Sequence, residues 1–127
     1  MPIAFDEART LLLTFPGAAE DFPFGPETHV FKVAGKVFAI MGADSGRPAN
    51  VSLKCDPDLA PLLREQYAAV VPGYHLNKAH WNTVVLDGSV PDEELGEWVA
   101  MSYDLVVAGL SRAVRAVAWS PRPTANQ

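Results

Sequence analysis

The chain has 127 residues, a formal net charge of −5, 49 % hydrophobic residues and a single cysteine, Cys55. That length supports one domain with its own core, and one thiol excludes an intramolecular disulfide. No charge-free apolar run approaches the roughly 18 residues of a membrane span, and the stretch Met1-Pro2-Ile3-Ala4-Phe5-Asp6-Glu7 lacks the basic start of a signal peptide. The expectation is a soluble cytoplasmic protein with no membrane partner.

The predicted elements follow in chain order. Ala8, Leu11, Leu12 and Phe15 recur at helical spacing, so a first helix runs from about Ala4 to Thr14 and stops at Pro16-Gly17. Asp21-Phe22-Pro23-Phe24-Gly25-Pro26 is too proline-rich for regular structure and reads as a connection pinned by its phenylalanines. Thr28 to Val33 and Lys36 to Met41 form a hairpin about Ala34-Gly35. After a loop over 42–48, Ala49, Val51, Leu53 and Cys55 alternate with Asn50, Ser52 and Lys54, the pattern of a half-buried strand. Asp56-Pro57 is a helix start, with Leu59, Leu62, Leu63 and Gln66 as its apolar stripe. Val70 to Leu76 and Trp81 to Leu86 are two further strands. Ser89 reads as the N-cap of a last helix with Asp92 as its partner, and Leu95, Trp98, Val99, Ser102 and Val106 lie on its inner face. The helix fades after Gly109. A short extension holding Val114 and Val117 precedes a frayed tail from Pro121.

This order, α-β-β-β-α-β-β-α, predicts a two-layer α+β domain over residues 1–110, with residues 111–127 as an extension. Short connections favour an antiparallel five-stranded sheet. Helices with one apolar stripe each cover one face and leave the other open.

Charge is unevenly spread. Residues 1–27 carry −4, residues 28–86 carry +2, and residues 87–127 carry −3. The cationic middle contains all three histidines, His29, His75 and His80. An acidic chain repels a polyanion at long range, but only over roughly 8–10 Å in physiological salt, so a local basic face can still hold phosphate.

Four blocks carry a resemblance. They are Asp21-Phe22-Pro23-Phe24-Gly25-Pro26-Glu27-Thr28, the stretch Val30 to Ala39, Val51-Ser52-Leu53-Lys54-Cys55-Asp56-Pro57, and Pro72-Gly73-Tyr74-His75-Leu76-Asn77-Lys78-Ala79-His80-Trp81-Asn82-Thr83-Val84. Together with Asp87-Gly88-Ser89 and Ser102 to Val106, they make the chain resemble the YjbR/MmcQ family of small bacterial proteins over residues 4–110. The resemblance implies the compact fold of type III secretion chaperones. It also implies DNA binding through a double-wing arrangement of hairpins. It brings no catalytic residues.

Lys32, Lys36, Arg47, Lys54 and Lys78 are therefore the candidate phosphate contacts. The competing reading is a solvated face whose lysines guard strand edges. His75 and His80, five apart, match no zinc spacing, and read as backbone partners about the Pro72-Gly73 break. Trp81 and Tyr74 could stack on bases, although alternation makes Trp81 a core anchor. Asn77 reads as a turn cap and Asn82 as a tie to a neighbouring strand. Cys55 reads as a buried structural thiol. Gly42-Ala43-Asp44-Ser45-Gly46 lacks the Gly-Lys-Ser/Thr ending of a phosphate loop. The expected protein is a non-enzymatic DNA-binding accessory or regulatory protein without cofactor or metal, with double-stranded DNA as partner. The alternative is a chaperone-like module that binds a protein.

Overall fold

The computed structural model describes residues 5–42, 49–73 and 76–110. They form α1 (Phe5–Leu13), β1 (Ala18–Asp21), β2 (Thr28–Val33), β3 (Lys36–Gly42), β4 (Asn50–Lys54), α2 (Ala60–Gln66), β5 (Val70–Pro72), β6 (Trp81–Val85) and α3 (Asp92–Ala108). All strand pairs are antiparallel, in the order β1-β2-β3-β4-β6-β5. All three helices pack on one face, because strand alternation puts Phe31, Met41, Val51, Leu53, Val70 and Val84 on that side. Ala8 and Leu12 of α1, Ala60 and Leu63 of α2, and Leu95, Val99 and Tyr103 of α3 meet them in one core.

The sheet has six strands where the sequence predicts five. The extra one, β1, is Ala18-Ala19-Glu20-Asp21, with none of the β-branched or aromatic residues that mark strands. Its pairing with β2 and the fixed position of Glu20 specify it instead. Two helix starts also differ. Asp56 does cap a turn, accepting the Asp58 N–H at 2.8 Å, but α2 begins four residues later, at Ala60. That phase buries Ala60 and Leu63 and leaves Leu62 58 % exposed. Ser89 donates its hydroxyl to Asp87 at 2.6 Å, closing the turn before α3, and Pro91 takes the N-cap position. The proposed extension with Val114 and Val117 lies outside the described residues.

The face away from the helices is not bare. Register places Val30, Ile40, Ser52, Thr83 and Val71 side by side across five strands. Of these, Val30, Ser52 and Thr83 are buried, and the Ser52 and Thr83 hydroxyls meet at 2.8 Å.

Two polar arrangements tie the helices to the sheet. The β2–β3 register slips after Phe31↔Ala39 to Lys32↔Val37, which leaves Phe38 opposite no residue. The β3–β4 ladder ends at the same level, at Ala39↔Leu53. Ser102 of α3 enters there. Its hydroxyl donates to the Phe38 carbonyl at 2.5 Å and accepts the Lys54 N–H at 2.8 Å. A bulge that would orphan buried backbone groups is thereby satisfied from the helix layer. Freed from the ladder, Phe38 packs its ring against Phe15 and Tyr103.

At the other end, α1, β1 and β2 meet around Glu20. Arg9 donates Nε and Nη2 to the two carboxylate oxygens at 2.8 and 2.5 Å. His29 Nδ1 lies 2.6 Å from Oε2, and a carboxylate only accepts, so that nitrogen carries the proton. Phe5 and Phe22 set ring edges against His29. Foremost the Arg9 hydrogen bond, then the His29 bond, lowers the Glu20 pKa to about 2, against the desolvation of a carboxylate only 10 % exposed.

Two outcomes follow. Ser102→Ala leaves the Phe38 carbonyl and Lys54 N–H without their partner and is expected to cost about 2–4 kcal/mol in chemical denaturation. Glu20→Gln is expected to cost about 1–2 kcal/mol at neutral pH, discounted for the solvent around Arg9. A depressed carboxylate pKa stabilises above the unfolded value and ceases to do so as pH falls through the folded one. The gap between wild type and Glu20→Gln in urea midpoint should therefore narrow from about pH 4.5 towards pH 2.

Candidate nucleic-acid interface

Four of the five candidate cations lie at one end of the sheet. β2 ends and β3 begins at the hairpin, and β4 ends and β6 begins towards the same end, where Lys54 lies opposite Trp81 one rung beyond Leu53↔Asn82 and level with Phe38, two residues short of Lys36. Lys32 is the last residue but one of β2, Lys36 opens β3, Lys54 closes β4, and Lys78 is three residues before β6. The hairpin turn is tight, with Ala34 at φ 51° and Gly35 at φ 80°, both left-handed as a two-residue I′ turn requires. Arg47 lies outside the described residues.

These lysines are not equivalent. Lys32 donates to Asp21 at 3.1 Å, and this bond, with one from the Phe22 N–H, holds the Asp21 carboxyl below its usual range. The pair is exposed to solvent, and Asp21 offsets the Lys32 charge locally. Lys78 donates Nζ to the Gly73 carbonyl at 3.1 Å. Among the described residues Lys36 and Lys54 have no ion-pair partner. Asp56 and Asp58 follow Lys54 on the exposed turn and moderate the potential there.

The segment before β6 is held by contacts over long sequence separations. Arg64 of α2 donates Nε to Asn82 Oδ1 at 2.7 Å and Nη2 to the Lys78 carbonyl. Asn82 in turn donates to the Ala60 carbonyl at 3.2 Å, so it ties the sheet to α2 and not to a neighbouring strand. Asn77 caps its turn as expected, accepting the Ala79 N–H at 2.9 Å. Arg64 escaped the sequence reading because its partners lie 14 and 18 residues away and no local pattern links them.

Trp81 differs from its expected role as core anchor. Asn82 faces α2, so alternation turns Trp81 to the opposite face. The ring is half-buried and stands outside the core cluster. Gly73 lies directly against it: a Cβ at residue 73 would come 2.8 Å from the Trp81 Cβ, while the Gly73 N–H donates to the Trp81 carbonyl at 3.0 Å.

The other candidates resolve simply. Cys55 is buried in the core, and its pKa is raised first by burial and then by the Asp56 charge. Its thiol stays protonated, unlike a nucleophilic cysteine. His80 accepts the Cys55 N–H on its carbonyl at 2.7 Å and gives its own N–H to the Asn77 carbonyl. His75 and Tyr74 lie outside the described residues. Gly73→Ala forces β5 and β6 to shift apart at Trp81, and a melting curve should show a loss of about 1–3 kcal/mol.

Comparison with known proteins places this architecture. A family model described as YjbR matches residues 13–105. The Escherichia coli protein YjbR is 46 % identical over 92 residues, covering 72 % of this chain and 77 % of that one. The Escherichia coli protein YbdF is 36 % identical over 107 residues, covering 84 % and 87 %. The crystal structure of Deinococcus radiodurans protein DR2400, with a DUF419 domain, matches with a TM-score of 0.86 at 40 % identity, covering 96 % of this chain and 93 % of that chain. A Pseudomonas syringae protein matches with a TM-score of 0.61 at 28 % identity, covering 69 % and 86 %. The match to the family model runs from the end of α1 into α3 and spans every strand, and the chain belongs to the YjbR family.

Proposed function

We propose that this YjbR-family protein is a non-enzymatic DNA-binding accessory or regulatory protein that receives the phosphate backbone on the hairpin end of its sheet. The observation that carries the reading is the placement of Lys36, Lys54 and Lys78 at that one end, reinforced by Arg64 at the base of the Lys78 segment. Lysines gathered where strands end face a backbone more readily than lysines dispersed along strand edges. The acidic remainder of the molecule confines this attraction to short range, so binding depends steeply on salt.

A second reading, a protein-interaction module, is favoured by one feature of the opposite end. There the β1–β2 connection leaves Phe22 42 % and Phe24 74 % exposed, beside the acidic residues of the first 27 positions. Two exposed rings two residues apart are the start of the kind of apolar patch that marks a contact surface.

The deciding experiment is anisotropy of labelled DNA, offered as duplex and as single strand, at about 50 and 200 mM salt. Three phosphate contacts predict a slope of log K against log salt of about −2 to −3. The variant with Lys36→Ala, Lys54→Ala and Lys78→Ala together should flatten it towards zero. A protein that binds neither form of DNA at low salt rejects the DNA reading and leaves the protein-interaction reading.

A further inference from the structure

We propose that the hairpin end takes an unpaired nucleotide, its base against Trp81 and its neighbouring phosphates on Lys54 and Lys78, so that single-stranded DNA is preferred over duplex. The inference rests on the DNA-binding reading and specifies its ligand.

The geometry begins with β6. Trp81 is its first residue and faces away from the helices, outside the helix-side apolar cluster. Lys54 is its cross-strand partner, and directly opposed residues have their Cβ atoms about 4.5–5.5 Å apart. On the other flank Gly73 presses its backbone on Trp81, and the Gly73 carbonyl receives the Lys78 ammonium at 3.1 Å. Trp81 thus lies between two lysine-bearing segments, at the end of the sheet. The missing side chain at Gly73 allows the close approach that fixes the Trp81 backbone.

Phosphate attraction alone would require only the ammonium groups. An aromatic ring among them adds a stacking surface, and a base offers its face to a side chain only when it has left the helical stack. Aromatic residues on a sheet with cations to either side match the general chemistry of single-strand recognition, which tolerates any base because each has a π face. Paired bases in a duplex keep those faces against one another and would meet only Lys36, Lys54 and Lys78.

The test uses the full chain with labelled oligothymidylate of about 12 nucleotides and a blunt duplex of equal length. The wild type should bind the single strand about ten-fold or more tightly than the duplex. Trp81→Ala should lower single-strand affinity about ten-fold or more and leave duplex affinity unchanged. Trp81→Phe should keep most of it, and Lys54→Ala with Lys78→Ala should weaken both. Equal affinity for the two forms overturns the inference, as does a folded Trp81→Ala that binds oligothymidylate like the wild type. Should Trp81→Ala fail to fold, Trp81→Leu against Trp81→Phe makes the same comparison, and equal affinities overturn it. Duplex binding that ignores Trp81, with no single-strand preference, removes this inference and leaves the DNA reading standing. Binding of neither form removes both.

Discussion

One hydroxyl joins α3 to the two backbone groups that the bulge in the sheet leaves open. Ser102 stands between the Phe38 carbonyl and the Lys54 N–H, at the level where the β3–β4 ladder stops and the β2–β3 register slips. Without a polar group at that place, two buried backbone groups would be left without partners, a cost that a marginally stable domain can hardly bear. The bond also decides what the bulge is for. Phe38 turns into the helix-side core, where with Phe15 and Tyr103 it forms the aromatic centre beneath α3, and the Tyr103 hydroxyl donates to the Pro16 carbonyl to hold the end of α1. The site inherits this anchoring, because Lys54 is both the donor to Ser102 through its backbone and the cross-strand neighbour of Trp81 through its register.

The two ends of the sheet have opposite chemistry for a topological reason. In an antiparallel sheet, alternate connections fall at alternate ends. The β2–β3 hairpin and the β4 and β6 termini share one end, with Lys36, Lys54, Lys78 and Trp81. The β1–β2 connection lies at the other, with Phe22, Phe24 and the Arg9–Glu20–His29 group. At that second end a carboxylate is taken almost out of water and kept ionised by a bidentate guanidinium and a ring nitrogen. A well-oriented, partly buried pair of this kind holds a helix to an edge strand more firmly than an isolated surface pair would. β1 exists as a strand largely because Glu20 is held there.

Much of the fold was legible locally. The hairpin at Ala34-Gly35, the alternation through Val51, Leu53 and Cys55, and the inner face of α3 from Leu95 to Val106 are periodic patterns that need no distant partner, and the structure keeps them. The departures occur where a distant group decides. β1 has the composition of a loop. The start of α2 moved because a capped turn at Asp56 precedes it. Ser89 bonds Asp87, and Pro91 stands at the N-cap. Of the site, the lysines were visible as a cationic middle block, but their sharing one end could not be read from spacing. Strand order and direction place residues 36, 54 and 78 towards the same end of the sheet.

What the amino-acid order determined by itself was the class of the molecule. Short apolar periods, tight turns and one-sided helices lead to an antiparallel sheet with helices over it, because each local pattern can bury its apolar side in only one way. What only the tertiary structure decided was which polar groups meet: Lys32 on Asp21, Arg64 on Asn82 and Lys78, Gly73 against Trp81. These contacts join residues 8 to 18 positions apart through hydrogen bonds. Hydrogen bonds act over one atomic contact, so their partners are chosen by the assembled sheet and not by neighbours in the chain.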